Sequence, residues 1–99
     1  MVNVLLVGNG THANKRILPS LKNLEVVNSI SILDRNVEIE KQISDNIKIL
    51  PYEEVNKSES FYDLGIVATP PYNHLQSYEL IVNKCQTVLI EKPLTNNLD

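Results

Sequence analysis

Short apolar runs alternate with longer polar stretches along the whole chain. The runs that predict strands are Val2–Val7, Glu25–Leu33, Asn46–Leu50, Asp63–Ala68 and Thr87–Ile90. The stretches between them predict helices over Ala13–Leu24, Val37–Ser44 and Asn73–Lys84, with a polar connector over Pro51–Ser60. Strands that alternate with helices are typical of βαβ units. The pattern therefore predicts an α/β fold, a doubly wound, parallel, Rossmann-like sheet of about five strands in the order 3-2-1-4-5.

A glycine-rich turn follows the first predicted strand. Its residues are Gly8, Asn9, Gly10, Thr11, His12 and Ala13. Gly8 permits the tight turn, Gly10 lets the backbone approach a pyrophosphate, and Ala13 lets the next helix pack closely on the strand. The N–H groups at the start of that helix would face the phosphates. Alone this pattern is weak, but its position between a strand and a helix predicts a dinucleotide site.

An acidic residue follows the second predicted strand. Asp34 lies 21 positions after Ala13, close to the spacing at which a carboxylate meets the ribose 2′-hydroxyl of a dinucleotide. Such a carboxylate would repel the 2′-phosphate of NADP, whereas the guanidinium of Arg35 could bind that phosphate. These residues favour NAD and leave NADP open.

The fourth predicted strand is followed by Thr69, Pro70 and Pro71, and His74 begins the next helix. The prolines hold this crossover extended. Because parallel strands end at one edge of a sheet, His74 lies on the same edge as the glycine turn. It is either a solvated helix-start residue or part of the cofactor crevice, and the sequence supports both interpretations equally.

The fifth predicted strand is followed directly by Glu91, Lys92 and Pro93. A lysine is costly at the end of a buried strand unless its charge or its proton is used there. The position therefore indicates a reactive group at the carboxyl edge of the sheet. The alternative is a surface lysine just past a strand.

Composition narrows the classes of partner. Nine basic and twelve acidic residues give a net charge of −3, and no basic run is longer than Lys15-Arg16, which argues against nucleic acid as the main partner. No apolar stretch approaches the roughly 20 residues of a membrane span. One cysteine, Cys85, cannot form an internal disulfide, which fits a reducing cytoplasm. Two histidines and this cysteine lack metal-ligand spacing, so no metal site is predicted.

These motifs together resemble a known family. The glycine turn, Ile17–Pro19, Ala68–Pro71 with His74, and Glu91–Leu94 occur in the order and at the spacing of the N-terminal domain of the Gfo/Idh/MocA (glucose–fructose oxidoreductase / inositol dehydrogenase) family. The resemblance covers essentially the whole chain, and the Glu-Lys-Pro tripeptide is its most specific part.

The resemblance implies an NAD(P)-dependent oxidoreductase that acts on a sugar, cyclitol or related polyol. It assigns Lys92 to hydride and proton transfer and Pro93 to the turn that presents this lysine. It also places Thr69, Pro70, Pro71 and His74 beside the cofactor. One departure is Cys85, because the family usually has a glycine at that position.

Residues 1–99 would then form one dinucleotide-binding domain, and the C-terminal substrate domain of the family would be missing. We expect such a domain to bind nucleotide weakly, to lack efficient catalysis alone, and to self-associate through the exposed edge of its fifth strand. Two other functions stay open: a non-catalytic nucleotide-sensing module, and a methyltransferase that uses the same fold.

Overall fold

The computed structural model describes residues 2–8, 17–57, 61–68 and 74–90 of the 99-residue chain. The strands are β1 (Val2–Val7), β2 (Val27–Leu33), β3 (Lys41–Ser44), β4 (Ile47–Leu50), β5 (Tyr62–Val67) and β6 (Cys85–Ile90). The helices are α1 (Leu18–Lys22), α2 (Glu54–Lys57) and α3 (His74–Ile81), and a 3₁₀ turn follows over Val82–Lys84.

The described strands form one sheet in the order β3-β4-β2-β1-β5-β6. All neighbouring strands are parallel except β3 and β4, which are antiparallel. The five predicted parallel strands therefore appear in the predicted order, and the α/β, doubly wound fold is confirmed. The sixth strand, β3, extends the sheet by one antiparallel edge strand that the sequence pattern did not predict.

The predicted helix over Val37–Ser44 is wrong, because the structure forms β3 there instead. Ile39 and Ile43 are four residues apart, but they are 74% and 56% exposed and so supply little buried apolar surface with which a helix could pack. As an edge strand, this segment finds partners for its backbone hydrogen bonds on β4. The side-chain amide of Gln42 also donates to the carbonyls of Ser44 and Ile47, which fastens the hairpin.

Both faces of the sheet are covered by apolar packing. On one face, which we call the α1 face, α1 contributes Leu21 to a cluster with Val4, Leu6, Ile30 and Ile32. On the other, the α3 face, Val55 of α2 and Ile81 of α3 pack against the strands. The strand residues buried there are Leu5, Val7, Leu33, Leu50 and Val67. A central strand buried on both faces explains why Val4–Val7 reads as a continuous apolar run.

The helix predicted over Ala13–Leu24 appears as α1, and residues 13–16 lie outside the described part. Pro19 is in the first turn of α1, where its missing N–H removes no intrahelical bond. The helix therefore accommodates this proline without a kink. Asn23 ends the helix, and its N–H donates to the Ser20 carbonyl at 3.3 Å.

Cys85 causes no backbone strain. A glycine-specific, left-handed conformation would have made a cysteine unfavourable at this position, but its φ and ψ are −130° and 142°. These angles are ordinary extended backbone. A cysteine in place of the family's glycine therefore costs no backbone strain here, because Cys85 is already the first residue of β6.

Candidate functional site

The carboxyl ends of five strands lie in register at one edge of the sheet. The aligned final residues, from one side to the other, are Leu50, Leu33, Val7, Val67 and Ile90. Strand order reverses on either side of β1, since β2 and β5 are its two neighbours. In open α/β sheets this reversal opens a crevice where ligands bind.

Gly8 lies at the centre of this edge, directly after β1. Its φ is 113°, a conformation that side-chain-bearing residues rarely adopt. Its N–H donates to the carbonyl of Leu33 at 3.0 Å, so the turn begins tied to the neighbouring strand. The predicted role of Gly8 in turning the chain is therefore consistent with its geometry. The rest of the glycine turn, residues 9–13, lies outside the described residues.

Asp34 lies at the same edge, directly after β2. Its N–H donates to the carbonyl of Leu50 at 3.0 Å, which extends the pairing with β4 by one step. Its Oδ1 accepts a hydrogen bond from the N–H of Asn36 at 2.9 Å, and its own carbonyl accepts one from Val37 at 3.2 Å. This local turn fixes a half-buried carboxylate beside the strand that ends in the glycine turn.

The side chain of Arg35 lies over the ring of Tyr52. Its guanidinium carbon lies 5.7 Å from the centroid of the Tyr52 ring, within the range of a cation–π contact. Tyr52 follows β4, so the arginine is positioned by the element beyond β2. Sequence reasoning did not select Tyr52, and only its position after a strand end could have drawn attention to it.

The segment after β5 begins at the same edge. The N–H of Ala68 donates to the Val7 carbonyl at 2.9 Å, which continues the pairing of β1 and β5. Thr69, Pro70 and Pro71 follow in sequence but lie outside the described residues. His74 is the first residue of α3, and nothing about its side chain is described.

Glu91, Lys92 and Pro93 also lie outside the described residues. The structure places Ile90, the residue before them, beside Val67 at the carboxyl edge. The described geometry thus brings Gly8, Asp34 and the ends of β5 and β6 to one edge. It leaves the side-chain roles of Lys92, His74 and the Thr-Pro-Pro segment as predictions.

Within the described ranges, no cluster of three or more histidine, cysteine or acidic side chains could hold a metal ion. The helices of the described part are all too short or too polar to cross a membrane.

Comparison with known protein families shows which family the chain belongs to. The sequence model of the Gfo/Idh/MocA oxidoreductases, which describes their NAD-binding Rossmann fold, matches residues 2–99. The chain belongs to the Gfo/Idh/MocA family. The predicted family is confirmed, and the chain is an NAD-binding domain of an oxidoreductase family. A search of curated proteins gave no match.

Solved structures share the fold of this Gfo/Idh/MocA domain. The Rex-family repressor RSP matches with a TM-score of 0.71 and 17% identity over 100% of this chain and 49% of its own. The candidate oxidoreductase YvaA of Bacillus subtilis gives 0.72 and 24%, over 96% of this chain and 28% of its own. A candidate oxidoreductase of Bacteroides fragilis gives 0.72 and 20%, over 98% and 30%. The chain therefore spans half or less of the length of these structures.

Proposed function

We propose that this chain is the cofactor-binding domain of an NAD(P)-dependent oxidoreductase, with its nucleotide bound at the carboxyl edge of the sheet. The observation that carries the proposal is the register that places Gly8 and Asp34 on adjacent strand ends at the point where strand order reverses. A left-handed glycine and a fixed carboxylate suit the pyrophosphate turn and the ribose of a dinucleotide.

The proposed reaction exchanges a hydride between C4 of a nicotinamide and the carbinol carbon of a sugar, cyclitol or related polyol. When bound, the cofactor supplies the hydride acceptor or donor. In the direction of oxidation, the substrate hydroxyl loses its proton as its carbon loses the hydride. Lys92 would hydrogen-bond that oxygen and relay its proton, which requires burial or the cofactor's charge to lower the lysine pKa.

The remaining assigned residues would bind the cofactor. The glycine turn, residues 8–13, would hold the pyrophosphate, and Asp34 the adenosine ribose. Thr69, Pro70, Pro71 and His74 would border the nicotinamide half, and Glu91 and Pro93 would fix the position of Lys92. A separate substrate domain would supply most contacts to the polyol, since this chain spans 28% and 30% of the two candidate oxidoreductases.

The test of the nucleotide site is calorimetric titration of the chain with NADH. We expect saturable binding that Gly10→Val abolishes, because a valine side chain would block the approach of the backbone to the phosphates. Gln86→Val is the matched control, since Gln86 is an exposed β6 residue near the amino end of the strand. An absence of saturable binding for both NAD(H) and NADP(H) at millimolar concentration would refute the site.

The cofactor preference depends on Asp34 and Arg35. We propose NAD, because the Asp34 carboxylate lies at the strand end while Arg35 is engaged with Tyr52. Asp34→Ala should shift the ratio of NADPH to NADH affinity upward by about tenfold, through loss of repulsion with the 2′-phosphate. Glu25→Ala, at an exposed site before β2, should leave the ratio unchanged. A wild-type chain that already prefers NADP would contradict this assignment.

The second candidate function is a nucleotide-sensing module without catalysis. The structural match to a Rex-family repressor over 100% of this chain shows that a repressor can use this fold, which keeps this candidate open, and a methyltransferase remains a third use of the fold. Lys92 discriminates among them. In the protein that carries this domain, Lys92→Ala should abolish hydride transfer and leave NADH affinity within about twofold if the enzyme assignment is right. Full retention of activity in the variant would refute the role of Lys92, and an absence of activity in the wild type would favour the sensor.

A further inference from the structure

A polar cavity of about 400 Å³ lies on the α3 face, away from the proposed nucleotide edge. Its lining includes Asn3, Ser31, Asp45, Lys48, Phe61 and Tyr62. Asn3 is the second residue of β1 and Tyr62 the first of β5, so the cavity lies toward the amino ends of these strands. Its volume is within the usual range for small-molecule sites.

The cavity arises from a change in the residues that β2 presents to the α3 face. Ile30 and Ile32 pack in the cluster on the α1 face, so alternation puts Ser29 and Ser31 on the α3 face. Ser31 is paired with Leu5 on one side and Lys48 on the other. Toward the carboxyl edge this face is apolar, whereas here hydroxyl, amide and charged groups replace the apolar side chains.

Two buried residues of the lining carry hydroxyl groups that have no hydrogen-bond partner among the described residues. Ser31 and Tyr62 are only 3% and 6% exposed, and neither hydroxyl is hydrogen-bonded to another residue in the described part of the chain. Buried polar groups are normally hydrogen-bonded, and a group that is not calls for an explanation. A polar molecule in the cavity would provide the partner that the described residues do not.

Two opposite charges line the cavity without pairing with each other. Asp45 is exposed in the turn between β3 and β4, and Lys48 is half-buried on β4. No ion pair joins these two side chains in the described structure. Groups of opposite sign that line one cavity and do not pair with each other in the described structure suit a ligand that carries both charges.

Asn3 gives the cavity a fixed wall. Its Oδ1 accepts hydrogen bonds from Ser29 Oγ at 2.8 Å and from Asn28 Nδ2 at 2.9 Å. Its backbone N–H donates to Asp63 Oδ2 at 2.8 Å. Asp63 thereby adds a second negative charge close to the cavity, which disfavours a simple anion there. The exposed ring of Phe61 offers an apolar surface beside these polar groups.

We propose that this cavity binds a free α-amino acid or a similar small zwitterion. The Lys48 ammonium would pair with the ligand carboxylate, and the hydroxyls of Ser31 and Tyr62 would donate to its oxygens. The Asp45 carboxylate would pair with the ligand ammonium, and Phe61 would contact the apolar part. The proposal is independent of the nucleotide site, since none of these groups lies at the carboxyl edge.

The test is an NMR titration of the ¹⁵N-labelled chain with each standard α-amino acid, alongside its N-acetyl and its carboxamide derivatives. At least one amino acid should give saturable shifts of the Ser31 and Lys48 amides. Its N-acetyl and carboxamide derivatives each lack one charge of the ligand and should bind about tenfold more weakly or worse. Lys48→Met and Asp45→Asn should each weaken binding of the amino acid similarly. Lys41→Met and Glu38→Gln are matched controls, because both residues are exposed and neither lines the cavity.

Ser31→Ala provides a second test that alters no charge, and it should weaken binding while the fold, checked by circular dichroism, persists. The proposal would be overturned if no amino acid gave saturable shifts at concentrations up to about 10 mM, because a specific metabolite site binds more tightly than this. Derivatives that bind as tightly as the zwitterion would overturn it as well. Equal binding of glycerol or myo-inositol would instead indicate a neutral hydroxyl site, and so would also refute a zwitterion site.

Discussion

At the scale of single residues, burial decides the chemistry of Cys85. This thiol packs in the cluster on the α3 face with Ile81 and Tyr62. Desolvation by burial raises the pKa of the Cys85 thiol from 9.0 to about 11, because burial disfavours the charged thiolate. A thiol in this setting is a poor nucleophile, so Cys85 has a structural role rather than a reactive one.

The raised pKa makes stability depend on alkaline pH. The unfolded chain loses the Cys85 proton near pH 9, whereas the folded chain keeps it to about pH 11. The unfolded state therefore binds fewer protons in this window, and the free energy of unfolding should fall as pH rises from about 9 to about 11. Urea unfolding at several pH values, compared with Cys85→Ala, measures this. A Cys85→Ala chain with the same alkaline slope would contradict it.

Some residues of the candidate site can be predicted from the sequence, and others cannot. Gly8 and Asp34 were predicted from their spacing and their positions after predicted strands, and the structure places both at the carboxyl edge. Spacing succeeds here because parallel strands of similar length must end at the same edge. The sequence did not predict Tyr52 as a site residue, because its contact with Arg35 joins residues that follow different strands.

At the scale of elements, β5, β6 and α3 pack closely around Gly65. A Cβ atom added at Gly65 of β5 would lie 2.7 Å from Cys85 Sγ and 2.8 Å from Ile81 Cδ1. Both distances are shorter than van der Waals contact. The glycine therefore lets the helix and the first residue of β6 pack directly against the sheet.

This packing predicts the effect of Gly65→Ala. The added methyl group must displace Cys85 or Ile81, so the variant should lose about 1–3 kcal/mol of unfolding free energy by overpacking. Chemical denaturation of the two chains measures the loss. In a Cys85→Ala background the sulfur contact is gone, and the same substitution should cost less. An equal cost in both backgrounds would show that the Cys85 contact is not responsible.

The segment of residues 37–44 shows that helical spacing of apolar residues can fail to predict a helix. Residues 37–44 carry two isoleucines at helical spacing, but both are largely exposed, and the half-buried Val37 is the residue of this segment that packs against the core. A free strand edge supplies backbone hydrogen-bond partners, which decided the conformation of β3. In short polar segments, apolar spacing alone cannot distinguish a helix from an edge strand.

At the scale of the whole molecule, β6 forms one lateral boundary of the described sheet and pairs there with β5. Leu89 and Ile90 are 53% and 45% exposed. An exposed parallel edge with apolar side chains favours association. The expected self-association of the isolated chain thus has a defined candidate surface, Leu89 and Ile90 on β6.

We expect the mass from light scattering to rise with concentration and Leu89→Lys to suppress that rise, because it places a charge at the contact. Ile39→Lys is the matched control, since Ile39 is 74% exposed near β3 at the opposite boundary of the sheet. A strictly monomeric wild type would contradict the prediction. Suppression by Ile39→Lys instead would move the contact to the β3 edge.

The sequence by itself determined the five parallel strands, their order and the positions of Gly8 and Asp34. These features follow from buried apolar runs and from chirality and connection rules that apply to any βαβ chain. Only the tertiary structure decided that residues 41–44 pair with β4, that Arg35 lies over Tyr52 and that Ser31 and Tyr62 share a polar cavity. Each of these joins groups brought together by the sheet, and no local periodicity specifies which side chains then become neighbours.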